Sequence, residues 1–77
     1  MTNRIVLDPK ILAGKPVIKG TRIPVEFVLD LLASGMNVEE IVNEYPHLKK
    51  EDILAVLEYA SQVIRNEDIY PSAQVTA

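Results

Sequence analysis

The chain has 77 residues, 48% of them hydrophobic, with no cysteine and a formal net charge of −3. That length allows one small domain burying only ~60% of its unfolded surface. The missing cysteines exclude disulfide staples and thiolate metal sites. No apolar run approaches the ~20 residues of a membrane span or the pattern of a signal peptide, so a cytoplasmic protein is the expectation.

Charge is segregated. Residues 1–24 carry Arg4, Lys10, Lys15, Lys19 and Arg22 against Asp8, a net +4, while residues 25–77 sum to −7. Phosphate contact rests on Lys and Arg, so any polyanion meets the arm first and is repelled by the rest. The competing reading is that these charges keep the arm soluble and pair with the acidic body.

In chain order, Ile5-Val6-Leu7 is a short apolar run ended by Asp8-Pro9, which reads as an edge strand or a strand lent to a partner. Gly14-Lys15 is not a phosphate-binding loop, since Pro9 and Pro16 stand where that motif needs Gly and Ser or Thr. Val17-Ile18 and Arg22-Ile23 flank Lys19-Gly20-Thr21 and suggest a tight hairpin with Gly20 at positive φ. Pro24 then passes the chain from extended to helical backbone.

A first helix is expected from Val25 to Ser34, with Val25, Val28, Leu29, Leu31 and Leu32 apolar and Glu26 and Asp30 wet; Gly35 is its left-handed cap. Asn37 and Glu40 have capping-box spacing for a second helix, whose stripe is Val38, Ile41, Val42 and Tyr45 and which Pro46 ends. A third helix runs from about Lys50 to Arg65. Ile53, Leu54, Leu57, Ala60 and Ile64 make one broad face, and Val56 and Val63 an adjoining one. That arc exceeds what one packed side needs, so Val56 and Val63 are expected, with Ile5 and Leu7, at a homodimer interface. The weaker reading leaves Val56 and Val63 flanking the chain's own core. Lys49 is a poor residue for the start of this helix, where a capping side chain is missing.

The fold expected is mainly α: a three-helix, homeodomain-like helix-turn-helix unit over residues 1–65 with a short β-hairpin arm (1–24), followed by a tail (66–77). Two helices joined by a short turn are the layout that places a last helix in the major groove. Lys15, Lys19, Arg22, Lys49 and Lys50 are the candidate nucleic-acid contacts. Glu51, Asp52 and Glu58 on the third helix argue against sequence-specific reading by its body. Catalysis finds no support: His47 is the only histidine, and the acids fall on exposed helical faces, so neither a cofactor nor a metal is expected.

The run Leu7-Asp8-Pro9, Gly14-Lys15-Pro16-Val17-Ile18, Gly20-Thr21-Arg22-Ile23-Pro24-Val25, then Gly35, Glu39-Glu40-Ile41, Tyr45-Pro46 and Glu51-Asp52-Ile53, resembles domain-of-unknown-function family 433 over roughly residues 5–62. Lys49 departs from the Ser or Thr the family pattern suggests. The resemblance implies a small helix-turn-helix-like antitoxin of the VapB kind that neutralises a PIN-like ribonuclease toxin and contacts operator DNA. By the same resemblance the tail, with Arg65, Ile69 and Tyr70, is expected to hold the toxin. The alternative expectation is a protein-interaction module with no nucleic-acid role.

Overall fold

A computed structural model describes residues 4–65. Strand β1 (Ile5–Leu7) pairs antiparallel with β2 (Pro16–Ile18), and three helices follow: α1 (Val25–Ala33), α2 (Val38–Glu44) and α3 (Lys50–Arg65). The protein is thus mainly helical, three helices behind a two-stranded N-terminal hairpin. Among the described residues no helix is long and apolar enough to cross a membrane.

The hairpin differs in partner from the one the sequence suggests. Ile5 faces Ile18, Val6 faces Val17 and Leu7 faces Pro16, so β1 stays with its own chain. Arg22-Ile23 forms no strand; across the turn there is a lone bridge between Val17 and Pro24, with the Ile18 N–H donating to the Ile23 carbonyl (2.9 Å). The return bond from Ile23 to Ile18 is missing because the Ile23 N–H is taken by the Thr21 hydroxyl and the Ile18 carbonyl by Thr21 itself. The turn itself is as expected: the Thr21 N–H donates to the Ile18 carbonyl at 3.0 Å and Gly20 sits at φ +83°. Thr21 secures it further, its hydroxyl donating to the Ile18 carbonyl (2.7 Å) and accepting from the Ile23 N–H (3.0 Å).

Between the strands, Asp8 closes a turn by accepting from the Lys10 N–H (2.9 Å), and Leu12, Ala13 and Gly14 follow at φ 50°, 58° and 84°. Two residues with side chains in left-handed backbone cost about 1–2 kcal/mol each. Hydrogen bonds from Gly14 to Ile11 and from Lys15 to Leu12 hold them there.

Helix α1 begins after Pro24, whose φ of −75° and extended ψ mark the junction. It ends in a Schellman motif: Gly35 at φ +105° donates to the Leu32 carbonyl and Met36 to that of Leu31. Two residues on, the Asn37 side chain accepts from the Glu40 N–H (2.9 Å) while the Glu40 carboxylate accepts from the Asn37 N–H (2.8 Å). This reciprocal cap starts α2 at once. The Tyr45 and Phe27 rings meet edge to face with centroids 5.5 Å apart, tying the end of α2 to α1.

Ile18, Val25, Val28, Ile41, Leu48, Ile53 and Val56 form one buried cluster drawn from the hairpin, all three helices and the turn before α3. Each such side chain contributes roughly 1.5–3 kcal/mol relative to exposure. Two expectations for α3 are corrected here. Val56 is wholly buried in the chain's own core, not at a dimer interface, whereas Leu54, Leu57 and Ile64, expected on the packed face, are exposed. Ile5 is half-buried against the same core, so it too serves its own chain; Leu7 and Val63 remain exposed.

Asp52, expected on a wet face, is instead only 6% exposed. One carboxylate oxygen accepts from Arg4 Nη1 (2.8 Å) and the other from the Lys49 N–H (2.9 Å). The second bond is the carboxylate half of a capping box, satisfying the Lys49 N–H, while Lys49 has no side-chain acceptor for the other half. Both bonds are compatible with the rotation of α3 that burying Ile53 and Val56 favours.

Asp52→Ala is expected to lower the unfolding free energy by about 1–2 kcal/mol, through the lost cap and the lost ion pair to a half-exposed arginine. Asn37→Ala should cost about 1 kcal/mol. Urea denaturation of each variant checks both, and an unchanged midpoint for Asp52→Ala would contradict the role given to its carboxylate.

Candidate nucleic-acid interface

The hairpin turn and the start of α3 are joined by a short chain of bonds. The Lys19 N–H donates to the Arg4 carbonyl (2.7 Å), the Arg4 side chain reaches Asp52, and Asp52 accepts from the Lys49 N–H. Residues from the arm and from the last helix thereby share one end of the molecule. Lys19 and Lys49 are both exposed there. Arg22 lines the same cleft of about 560 Å³ as His47, two residues before Lys49, with Ile11, Thr21 and Ile23 as its other walls.

The five candidate contacts separate accordingly. Lys19, Arg22 and Lys49 gather at this end. Lys50 adjoins them but leans toward α2, sharing a cleft with Val38, Glu39, Val42 and Asn43. Lys15 stands apart, its ammonium 3.2 Å from the Glu26 carboxylate on α1. Both partners of that pair are well exposed, so it adds little stability, yet it gives Lys15 a carboxylate neighbour that competes with any phosphate. Of the arm's five basic residues, then, Arg4 and Lys15 pair with the acidic body while Lys10, Lys19 and Arg22 are exposed.

Chemically this end offers cationic donors with backbone fixed by hydrogen bonds. It suits oxygen-rich anions such as a phosphate backbone, and four basic side chains carry no base-by-base code. Along α3 the exposed Glu51 and Glu58 oppose entry of the helix body into a groove of DNA.

A second feature went unread in the sequence. Val25, Glu26 and Leu29 of α1, Tyr59, Ala60, Val63 and Ile64 of α3, and Lys15-Pro16 line an apolar groove of about 320 Å³. It opens because α1 covers only part of the longer α3. No motif marks such a groove; only the mismatch between a nine-residue and a sixteen-residue helix hints at it. Of the expected partner contacts, Arg65 ends α3, exposed, with its Nη2 on Ser61 Oγ (2.6 Å); Ile69 and Tyr70 lie outside the described residues.

Known proteins match this chain over much of its length. An uncharacterized protein, y4eO, of Sinorhizobium fredii is 39% identical over 56 residues, 73% of this chain but 25% of that protein. An uncharacterized protein of Archaeoglobus fulgidus is 70% identical over 23 residues, covering 30% of this chain and 64% of its own. The crystal structure of a DUF433 member from Anabaena variabilis superimposes with a TM-score of 0.76 at 31% identity, covering 83% of this chain and 63% of that one. The chain therefore spans a quarter of the Sinorhizobium relative and less than two thirds of the other two. The family model for "Protein of unknown function (DUF433)" matches residues 5–60, and with most of the chain inside that match, the protein belongs to the DUF433 family.

Proposed function

We propose that the protein is a non-enzymatic, homodimeric binding module, the antitoxin of a toxin–antitoxin pair, which neutralises a PIN-like ribonuclease and contacts operator DNA through its basic end. The observation that carries the DNA contact is the bonded path from Lys19 through Arg4 and Asp52 to Lys49. It links two basic segments distant in sequence within a chain of net charge −3. Such an arrangement costs self-repulsion, and a polyanionic partner offsets that cost. The antitoxin role rests on the sequence resemblance alone.

A second reading, a protein-interaction module without nucleic acid, is favoured by the apolar groove between α1 and α3. Grooves of this kind take an amphipathic helix or an extended apolar segment of a partner. The two readings use opposite chemistry and respond oppositely to salt.

Fluorescence anisotropy with a labelled DNA duplex separates them. On the DNA reading, log affinity falls with log salt at a slope of about −3 to −4, and each of Lys19→Ala, Arg22→Ala and Lys49→Ala makes that slope shallower by about 1, while Lys15→Ala changes it less. Absence of measurable affinity at low salt would contradict the DNA reading and leave the second.

A further inference from the structure

Four exposed residues of α3 lie outside the core, with Ile64 also at the edge of the groove. Leu54, Leu57, Ser61 and Ile64 are spaced 3, 4 and 3, the a/d spacing of a coiled-coil seam. Leu54 is 49% exposed, Leu57 43% and Ile64 76%, whereas Ile53 and Val56 beside them are wholly buried. The seam is about 15 Å long at 1.5 Å rise per residue. A helix with one apolar face in the core and a second face of this spacing lacks a helical partner for the second.

We infer that this partner is α3 of a second copy, running antiparallel. In that register Leu54 packs on Ile64 of the other copy and Leu57 on its Ser61, at both ends of a twofold axis that passes near Tyr59. The charges on the flank decide the direction. Glu51, Glu58 and Arg65 occupy the e positions of the same heptads, and antiparallel helices bring e beside e. Glu51 of each copy thus meets Arg65 of the other at both ends of the seam. The two Glu58 side chains meet near the axis, a like-charge contact that keeps the pair weak. A parallel pair would stack Lys50 on Lys50 and leave Glu51 about 21 Å from the opposite Arg65.

This pairing rests on the homodimer of the functional reading and deepens it by naming the face and direction. It also accounts for acids on the body of α3, since a face turned to a second copy does not enter a DNA groove. Two short heptads lie at the small end of specific interfaces, which sets the expected dissociation constant in the micromolar range.

Sedimentation equilibrium of the full chain over a wide concentration range, with circular dichroism to check folding, tests it. The unaltered protein is expected to dimerise reversibly, and Leu57→Lys, at an exposed site, to be a folded monomer. Glu51→Arg and Arg65→Glu should each weaken the dimer about fivefold to tenfold, and the double variant should return to within about twofold of the starting affinity. Glu58→Gln should tighten it. A dimer indifferent to Leu57→Lys, or charge swaps without mutual rescue, overturns this geometry while leaving a homodimer standing. A monomer at every concentration overturns both the geometry and the homodimer, and leaves DNA affinity to be judged by its own titration.

Discussion

One carboxylate holds this structure in its working form. Asp52 sits where the arm, the start of α3 and the core meet, and both of its oxygens are engaged, one by Arg4 and the other by the Lys49 N–H. A buried carboxylate without such partners would cost several kcal/mol in lost hydration. Its satisfaction is therefore conditional on the arm lying against the helix, and the arm's position is conditional on it. Three short strand residues could not hold a two-stranded hairpin in water by themselves. The ion pair and the packing of Ile5 and Ile18 on the core make up the difference.

The distribution of surface goes with that contact. With Asp52 turned inward, α3 commits Ile53 and Val56 to the core and presents Leu54, Leu57 and Ile64 to solvent. One helix thus carries three surfaces: a core face, a groove wall around Tyr59 and Val63, and an exposed seam. The charge follows the same logic. Arg4 and Lys15 are drawn onto the acidic body, which leaves Lys19 and Arg22 at the turn and Lys49 at the start of α3 among the exposed cations. A small domain with a thin core has in this way room for more than one binding surface.

Much of this was legible in the residues. Helix ends were read to within about a residue because each depends on local chemistry: Pro24 before α1, Gly35 after it, Asn37 and Glu40 at the start of α2, Pro46 beyond its end. Gly20 in its turn was equally clear. What failed was everything decided at a distance. The ladder runs from Ile18 to Ile5, while across the turn the Ile18 N–H reaches the Ile23 carbonyl without a return bond, since the Thr21 hydroxyl takes the Ile23 N–H. The inward face of α3 was misjudged because its apolar residues cover so wide an arc that spacing alone leaves the rotation open. Packing of Ile53 and Val56 on residues remote in sequence sets that rotation, and Arg4, 48 residues away, meets Asp52 on the same side. The capping spacing from Lys49 to an acid three residues on was the one sequence signal for it. Of the candidate contacts, Lys19, Arg22 and Lys49 converge as basic residues of an arm and a helix start can, while Lys15 was lost to Glu26, a partner that no local pattern names.

The central claim is that the Arg4–Asp52 contact assembles a nucleic-acid-binding end from two segments remote in sequence. An amide NMR titration of the full chain with a short DNA duplex at low salt tests it most directly. The account predicts shifts confined to residues 19–22 and 47–50, all lost together in Asp52→Ala. Shifts centred on Leu29, Tyr59 and Val63, or an unchanged pattern in that variant, would contradict it.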